Sequence, residues 1–274
     1  MNSPLDPGHP PLYRCHWQEG GRAAAAQEAT ENSVSFIVPA LNEEQNIGPT
    51  MQSILRTVEQ AGLDDYQIVM VNDGSVDGTG TVMKRLAAED PLHRIYVENR
   101  VNLGLGGAFK AGVAAANRHW AMLIPGDDSH PPEGILPILA QRGPWEMVIP
   151  YVTNTEARPW ERRVISRIYT ALFNGLGRVS VPYFNGLILY RRDLLQAVGI
   201  ETDSYAFQAE ALIKLIHQGR RFTTLGVVIS GRQHGRSKAF NWRNLWQIGQ
   251  TLWRVWNISR RAARSQERQE GLHA

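Results

Sequence analysis

The strongest constraint on the fold is an alternation of short apolar runs with helical stretches between residues 34 and 149. The apolar runs are rich in β-branched residues and have the length of buried strands; they lie at 34–39, 67–71, 94–97, 121–124 and 147–149. Helices are predicted between them, around 49–61, 79–88, 107–117 and 132–140, with Pro49 in the first turn of its helix. Such an alternation predicts a Rossmann-like α/β fold, a mostly parallel sheet flanked by helices on both faces.

The chain divides into three segments of different character. Residues 1–32 are crowded with proline and glycine and have no apolar face, so we expect a disordered leader outside the fold. Residues 33–239 form the folded domain, with the alternating half at 33–150 and a second half at 151–239. In the second half, the patterns predict helices at 158–176 and 205–217 and strands at 183–190 and 222–229. Residues 240–274 form a tail.

Composition excludes several classes of protein. The single cysteine, Cys15, excludes a disulfide framework and a cysteine-rich zinc module. No apolar run approaches the roughly 18–20 residues that span a bilayer. The N-terminus lacks the basic-then-apolar pattern of a secretion signal, so we expect a cytoplasmic protein.

The net charge of +3 conceals a strongly basic tail. Residues 236–274 carry eight basic and two acidic side chains, whereas residues 1–235 carry 21 and 24. Within the tail, an apolar stripe recurs at steps of three and four residues and consists of Trp242, Leu245, Trp246, Gly249, Leu252, Trp253 and Trp256. This pattern predicts an amphipathic helix at 240–265 that lies on the cytoplasmic face of a membrane.

Two other roles for the tail helix stay open on the sequence alone, namely packing against the folded domain and contact with a second copy of the chain. No recognised nucleic-acid module accompanies the basic charge, so we expect no nucleic-acid partner. The sequence leaves the oligomeric state open.

The candidate ligand site lies in three loops that each follow a predicted strand, because ligands of open parallel sheets bind beyond the carboxyl ends of the strands. These loops are 39–44, 72–79 and 125–130, and all three carry acidic residues. Asp127 and Asp128 could share Mg²⁺ or Mn²⁺ with the phosphates of a nucleotide, and Asn72 and Asp73 could read a base or ribose. Asp77 fits a helix cap better than a ligand.

The glycine-rich segment 102–107 follows the third predicted strand. It has neither the spacing of a dinucleotide fingerprint nor the Gly-Lys-Ser/Thr of a phosphate-binding P-loop. Two interpretations stay open, a tight turn packed against the sheet and a close approach to a ligand.

Several of these motifs together resemble the inverting glycosyltransferases of family 2, above all the polyprenyl-phosphate sugar transferases such as dolichyl-phosphate mannose synthase. The resemblance covers about residues 33–240 and is carried by 34–44, 72–79, 102–107, 127–133, 205–219 and 232–238. It implies the GT-A fold, a nucleotide-sugar donor and a divalent metal ion.

The resemblance also implies roles for individual residues. Nucleotide-sugar binding falls to Pro39, Ala40, Leu41, Glu43, Asn72, Asp73, Gly104 and Gly106. Asp127 would bind the metal and act in catalysis, Glu210 would lie near the sugar or acceptor, and phosphate binding falls to Arg232, Ser237 and Lys238. Asp128 is an extra acid beside the family position and could share the metal site and the catalytic role.

Three positions depart from the family pattern. Pro125 stands where the family usually has the first aspartate of its acidic loop, Asn72 replaces an aspartate, and the loop 182–186 differs from the usual acceptor loop. The metal site, the base preference and the acceptor are the properties that these departures affect.

The chemistry of transfer depends on the acceptor. The oxygen of a lipid monophosphate is already anionic at neutral pH, so it needs no protein base. Arg163 and Arg167 lie four residues apart on one predicted helix face. With Arg232, Arg236 and Lys238 they could screen the repulsion between acceptor and donor; a solvated helix face is the alternative. A hydroxyl acceptor would need a base, for which Glu210 and Asp128 are the candidates.

The leading prediction is therefore inverting transfer from GDP-mannose or a UDP-hexose to a polyprenyl phosphate at the membrane surface. One alternative is a family 2 transferase acting on a hydroxyl of a glycan, peptide or small metabolite. The other is a non-catalytic nucleotide-sugar binder that has lost its metal site through Pro125.

Overall fold

The computed structural model describes residues 13–15, 31–157, 160–228 and 248–262. The strands are β1 (Tyr13–Cys15), β2 (Val34–Ala40), β3 (Tyr66–Asp73), β4 (Arg94–Asn99), β5 (Trp120–Leu123), β6 (Met147–Val152), β7 (Leu189–Arg191) and β8 (Phe222–Val227). The helices are α1 (Ile47–Gln60), α2 (Thr79–Glu89), α3 (Gly104–Ala115), α4 (Pro132–Leu139), α5 (Trp160–Gly177), α6 (Arg192–Ala197) and α7 (Phe207–His217), followed by α8 at 248–262.

All the strands form one sheet, in the order β1-β4-β3-β2-β5-β7-β6-β8. The central strands β4, β3, β2 and β5 are parallel, as are β6 and β8, whereas β1 and β7 are antiparallel to their neighbours. Because β7 runs against both β5 and β6, those two strands share one direction. The carboxyl ends of β2 to β6 and of β8 therefore lie at the same edge, and the predicted, mostly parallel sheet is confirmed.

Helices cover both faces of the sheet and bury two apolar layers. Every residue of β2 is buried, and alternate side chains enter opposite layers, with Ile37 in one and Phe36 in the other. The layer of Ile37 contains Phe109 of α3 and Phe207 of α7, whose rings are 4.8 Å apart. The layer of Phe36 contains Ile54 of α1.

Two sequence predictions about strands are wrong. The predicted strand at 183–190 is reduced to Leu189–Arg191, because Phe184, Leu187 and Ile188 are buried by packing from irregular chain and not by strand pairing. The predicted leader contains a strand, since Tyr13–Cys15 pairs antiparallel with β4 and adds an edge to the sheet. Residues 1–12 and 16–30 of that leader lie outside the described residues.

The helix that contains Pro49 begins at Ile47, so the proline occupies the first turn, as predicted. The amide groups of the first turn have no partner within a helix, so a proline there removes no helical hydrogen bond.

Helix α8 is the described part of the predicted tail helix and packs on the folded domain. Thr251, Val255 and Ser259 lie four residues apart and are buried, so the helix contacts the domain through this face. Trp253 and Trp256 lie outside that face and are 66% and 39% exposed. Of the roles that the sequence left open for this helix, packing against the folded domain is thus found for one face. Residues 240–247 and 263–274 of the tail lie outside the described residues. None of the described helices is long and apolar enough to cross a bilayer.

Candidate active site

The loops after β2 and β3 are tied together by backbone and side-chain hydrogen bonds. The amide of Asn42 donates to Ser75 Oγ at 3.0 Å, and Asn42 Oδ1 accepts from the amide of Val76 at 2.9 Å. The amide of Glu43 donates to Thr79 Oγ1 at 2.8 Å. These bonds hold the two loops in a fixed relation and thereby shape the rim beside Pro39, Ala40 and Leu41.

Asp77 bonds the first residue of α2 but is not the predicted cap, because Gly78 occupies the N-cap position. Its Oδ1 accepts from the amide of Thr79 at 3.0 Å and from Thr79 Oγ1. Burial acts to raise the pKa of Asp77, but the hydrogen bonds from Thr79 and from the amide of Glu44 outweigh it and lower the pKa overall.

Asn72 and Asp73 are buried and have protein partners. Asn72 Nδ2 donates to Tyr96 Oη at 3.2 Å, and its Oδ1 accepts from the amide of Ser75 at 3.1 Å. Asp73 accepts from Asn99 Nδ2 at 2.8 Å and from the amides of Leu103 and Gly104, both at 3.0 Å. Burial raises the pKa of Asp73 in spite of these bonds. Both side chains therefore brace the loops, and their contact with a base or ribose stays a prediction.

The glycine-rich segment packs tightly against the chain at Thr202 and Asp203. The amide of Gly106 donates to the carbonyl of Asp203 at 2.8 Å, and a Cβ at Gly106 would lie 2.7 Å from Asp203 C and from Thr202 O. Gly104 has a φ of +80° and equally close contact with Asp203 O, at 2.8 Å. Glycine is required at both positions because backbone atoms fill the space of a side chain. The segment therefore packs tightly, but as the first turn of α3 and against the chain at 202–203, and a close approach to a ligand stays a prediction.

The acidic loop after β5 lies against the end of β2. The amide of Gly126 donates to Pro39 O at 3.0 Å, and a Cβ at Gly126 would lie 2.9 Å from Ala40 Cβ. Asp127 Oδ1 accepts from Ser129 Oγ at 2.6 Å, and the amide of Asp128 donates to Thr50 Oγ1 at 3.0 Å. The two aspartates thus stand at the carboxyl edge of the sheet, beside the nucleotide-binding loop that the sequence predicts.

The side chains at this edge are of a type that can bind a hard divalent ion together with the phosphates of a substrate. Asp127 and Asp128 are consecutive in the chain and have carboxylate oxygens, the ligands that Mg²⁺ and Mn²⁺ prefer. Among the described residues, no group of three or more His, Cys, Asp or Glu side chains is placed to hold a metal ion. A site of two carboxylates agrees with the habit of Mg²⁺ to bind through one or two protein oxygens together with substrate phosphates.

Glu210 lies inside the protein, with 0% of its surface exposed. Its carboxylate accepts from Lys214 Nζ at 2.7 Å and from the amides of Glu201 and Thr202 at 3.0 and 2.9 Å. Burial acts to raise the pKa of Glu210, but the bonds from Lys214, Glu201 and Thr202 and the charge of Lys214 lower it overall. Glu210 therefore holds in place the 201–203 segment against which Gly106 packs.

A cleft of about 380 Å³ opens at the same edge of the sheet, between the end of β6, helix α5 and the loop before β7. It brings together Arg163 and Arg167 of α5, Tyr151 at the end of β6, and Pro182 and Tyr183 of the departing loop. That loop is fixed at Gly186, whose carbonyl accepts from Gln208 Nε2 at 3.0 Å.

Sequence reasoning missed further residues of this cleft, including Ser166, Thr170 and Asn174. They follow Arg163 and Arg167 at steps of three and four residues, so helical spacing from the arginines is the signal that points to them. Arg232, Ser237 and Lys238 lie outside the described residues, although β8, the last strand before them, ends at the same edge of the sheet.

A mostly parallel sheet flanked by helices, with acidic loops at its carboxyl edge and a cleft at the same edge, is typical of the GT-A class of glycosyltransferases. The model of the family "Glycosyl transferase family 2" matches residues 35–199, more than half of the chain. The chain therefore belongs to glycosyltransferase family 2, and both the resemblance seen in its motifs and the prediction of an enzyme are confirmed.

Among curated proteins, the chain is similar to the polyprenol monophosphomannose synthase of Mycolicibacterium smegmatis, with 28% identity over 81% of this chain and 86% of the relative. It is also similar to the undecaprenyl-phosphate mannosyltransferase of Micrococcus luteus, with 27% identity over 75% and 86%.

The fold is shared with solved structures of glucosyl-3-phosphoglycerate synthase from Mycobacterium tuberculosis. The complex of that enzyme with Mn²⁺, UDP and glucosyl-3-phosphoglycerate aligns with a TM-score of 0.53 and 20% identity, over 89% of this chain and 84% of the other. Its complex with Mg²⁺ and UDP aligns with a TM-score of 0.50 and 21% identity, over 81% and 78%. The predicted GT-A fold is therefore confirmed.

Proposed function

We propose that this enzyme transfers a sugar from GDP-mannose or a UDP-hexose to a polyprenyl phosphate, with inversion, at the cytoplasmic face of a membrane. The observation that carries the proposal is the position of the arginine-lined cleft at the same sheet edge as Asp127. The names of the mycobacterial and micrococcal relatives, both of which act on polyprenyl-type phosphates, support it, and both names favour mannose.

The donor lies along the rim formed by the loops after β2, β3 and β5 in this proposal. Pro39, Ala40, Leu41 and Glu43 border the nucleoside, while Asn72 and Asp73, with Gly104 and Gly106, fix the shape of the rim. Asp127 and Asp128 would hold Mg²⁺ or Mn²⁺, and the bound ion would neutralise the charge that develops on the leaving diphosphate. Mn²⁺ and Mg²⁺ in the solved GT-A neighbours support the choice of metal.

The acceptor phosphate lies in the cleft beside Arg163 and Arg167, with Arg232, Ser237 and Lys238 as further phosphate ligands from the chain after β8. Two anionic substrates meet in this site, so cationic side chains are needed to reduce their repulsion. An oxygen of the acceptor phosphate attacks the anomeric carbon of the donor sugar, and the nucleoside diphosphate leaves. The attacking oxygen needs no deprotonation, because it is already ionised at neutral pH. The mechanism therefore needs no protein base, and we assign Glu210 a positioning role in place of the predicted catalytic one.

The acceptor assignment is tested by replacing the two cleft arginines. We expect Arg163→Gln together with Arg167→Gln to lower kcat/KM for polyprenyl phosphate by about tenfold or more, because two charge-assisted bonds to phosphate are removed. Affinity for the nucleotide should stay unchanged, since the donor rim is formed by other loops. The measurement is transfer of labelled sugar into an organic-soluble product.

Arg85→Gln is the control, because Arg85 is 71% exposed on α2 and does not line the cleft. Equal losses in the control and in the double variant would contradict the acceptor site. Transfer to a soluble hydroxyl acceptor in preference to polyprenyl phosphate would favour the other family 2 activity.

The metal assignment is tested with Asp127→Asn. The variant should lose the Mn²⁺-dependent part of the rise in melting temperature that GDP or UDP produces, because one carboxylate ligand becomes a neutral amide. Asp64→Asn is the control, since Asp64 is exposed and precedes β3, at the opposite edge of the sheet. Retention of the full Mn²⁺ effect in Asp127→Asn would remove this metal site.

A further inference from the structure

Helix α5 carries a continuous apolar face that points away from the folded domain. Trp160, Val164, Ile168 and Leu172 follow one another at steps of four residues and are 64%, 43%, 55% and 46% exposed, and Ile165 beside them is 42% exposed. Scattered exposed apolar side chains are ordinary on soluble proteins, whereas a contiguous stripe marks an interaction surface. The opposite face, with Phe173 fully buried, already packs on the core, so core packing does not explain the stripe.

The apolar stripe borders the cleft of the proposed acceptor site. Val164 and Ile168 each follow one of the cleft arginines, Arg163 and Arg167, and so lie about 100° further round the helix. The same helix therefore turns one face to the acceptor phosphate and the next face to solvent. A ligand with a charged head and a long apolar chain would contact both.

The charges beside the stripe favour an anionic surface. Arg162, Arg163 and Arg167 accompany a single acid, Glu161, in the first two turns of α5, and Trp160 opens the helix. Arginine and tryptophan around an apolar helix face suit the headgroup region of a bilayer that contains anionic lipids.

We propose that the outer face of α5, formed by Trp160, Val164, Ile165, Ile168 and Leu172, lies in the headgroup region of a membrane with anionic lipids and brings the cleft to the acceptor. The inference rests on the proposed lipid-phosphate acceptor and adds to it the surface that meets the lipid. This helix precedes the acceptor loop and is separate from the basic tail predicted to lie on the membrane.

Helix α8 stands next to the end of α5 and adds aromatic side chains. His217 Nε2 of α7 lies 2.8 Å from Gly177 O and 3.3 Å from Ser259 Oγ, so α5 and α8 are both anchored to the same helix. Trp256 of α8 is stacked under Arg260, with 4.5 Å between the guanidinium carbon and the ring. A membrane contact at α5 therefore has a neighbouring element with the same type of side chains.

The test is binding of the full chain to lipid vesicles of phosphatidylcholine, with and without about one third phosphatidylglycerol. We expect the wild type to bind the anionic vesicles, and Ile168→Ser with Leu172→Ser to weaken that binding by about tenfold, because apolar surface is lost from the contact. Both positions are exposed, so the core stays intact. Leu92→Ser is the matched control, since Leu92 is 62% exposed and lies just before β4, at the amino ends of the parallel strands.

Transfer to two acceptors separates this inference from the proposed function. The Ile168→Ser, Leu172→Ser variant should retain transfer to a short, water-soluble prenyl phosphate and lose transfer to a long polyprenyl phosphate embedded in vesicles. Equal vesicle binding by the variant and the wild type would overturn the docking surface while leaving the activity standing. Failure of the wild type with both acceptors would instead refute the proposed function.

A second copy of the chain is the other possible occupant of this face. Light scattering without lipid should give the same mass for the wild type and the variant. If the wild type is a dimer and the two serine substitutions convert it to a monomer, the outer face of α5 is a contact between two copies of the chain, and the proposed membrane contact is refuted.

Discussion

Replacing Glu210 with glutamine should destabilise the fold strongly while leaving the chemistry largely intact. The substitution keeps the shape of the side chain but turns one carboxylate oxygen into an NH₂ group, which would face the amide of Thr202 or Glu201. An unsatisfied buried donor costs about 1–3 kcal/mol. Loss of one partner from a buried ion pair costs about 3–5 kcal/mol.

The surroundings of Lys214 place the expected loss below the sum of these values. Lys214 Nζ keeps the carbonyl of Gly199 at 2.7 Å and the carboxylate of Glu201 at 3.2 Å, so its charge is not left without partners. We therefore expect the free energy of unfolding at neutral pH to fall by about 2–4 kcal/mol, as measured by urea denaturation. Glu201→Gln is the control, because Glu201 binds the same lysine with a side chain that is 64% exposed and should change stability by less than about 1 kcal/mol.

The pH dependence of this difference gives an independent check. The folded protein holds the pKa of Glu210 below the ordinary glutamate value of 4.5, so ionisation of Glu210 stabilises the fold above that pH. The contribution should disappear as the pH falls through the folded pKa, and the wild type and Glu210→Gln should then converge. A loss of about a thousandfold in kcat without a loss of stability would show that Glu210 acts in the chemical step and would refute the positioning role.

Two substitutions test the packing on which the site depends. Gly106→Ala should lower the free energy of unfolding by about 1–3 kcal/mol, because its Cβ would collide with the backbone of Asp203. The control is Gly175→Ala, which should raise the free energy of unfolding by about 0.5–1 kcal/mol, because Gly175 lies in a helix and a Cβ there has nothing within 4 Å. Equal effects of the two substitutions in urea denaturation would contradict the close contact at Gly106. Tyr190→Phe should be neutral or stabilising by up to about 1 kcal/mol, because the fully buried Tyr190 hydroxyl has no hydrogen-bond partner in the described structure. A clear loss of stability in Tyr190→Phe would indicate a partner for that hydroxyl.

The sheet could be predicted from the sequence because its strands are buried on both faces and therefore leave uninterrupted apolar runs. The same rule failed at 183–188, where equally apolar residues such as Phe184 and Ile188 fill the core from irregular chain. A pattern of hydrophobicity reports burial, and burial does not require strand pairing. The strand at Tyr13–Cys15 was missed for the converse reason, because a three-residue edge strand is held by backbone bonds that leave no side-chain pattern.

The location of the candidate site could be predicted from the sequence, whereas the contacts of its individual residues could be predicted only in part. Loops after parallel strands meet at one edge whatever their residues, so Asp73 and Asp127 lie at the predicted edge of the sheet, and ligand binding there stays a prediction. The role of Glu210 depends on the amides of Glu201 and Thr202, which reach it only through the folded turn before α7. Lys214, four residues after Glu210 on the same helix, was the one sign in the sequence that this carboxylate has an internal partner.

The loop before the antiparallel strand β7 is anchored at both of its ends, so it could be replaced as a unit without moving the strands. Residues 181–186 are held at one end by Asn174, which bonds the amide and the carbonyl of Val181 at 3.1 and 2.9 Å, and at the other by Gln208 on Gly186. Between these anchors, Phe184 is the fully buried residue that a transplant must keep. A segment grafted from a relative with another acceptor would thus enter and leave at fixed points, and substrate preference could diversify without any shift in the strand register of the donor half.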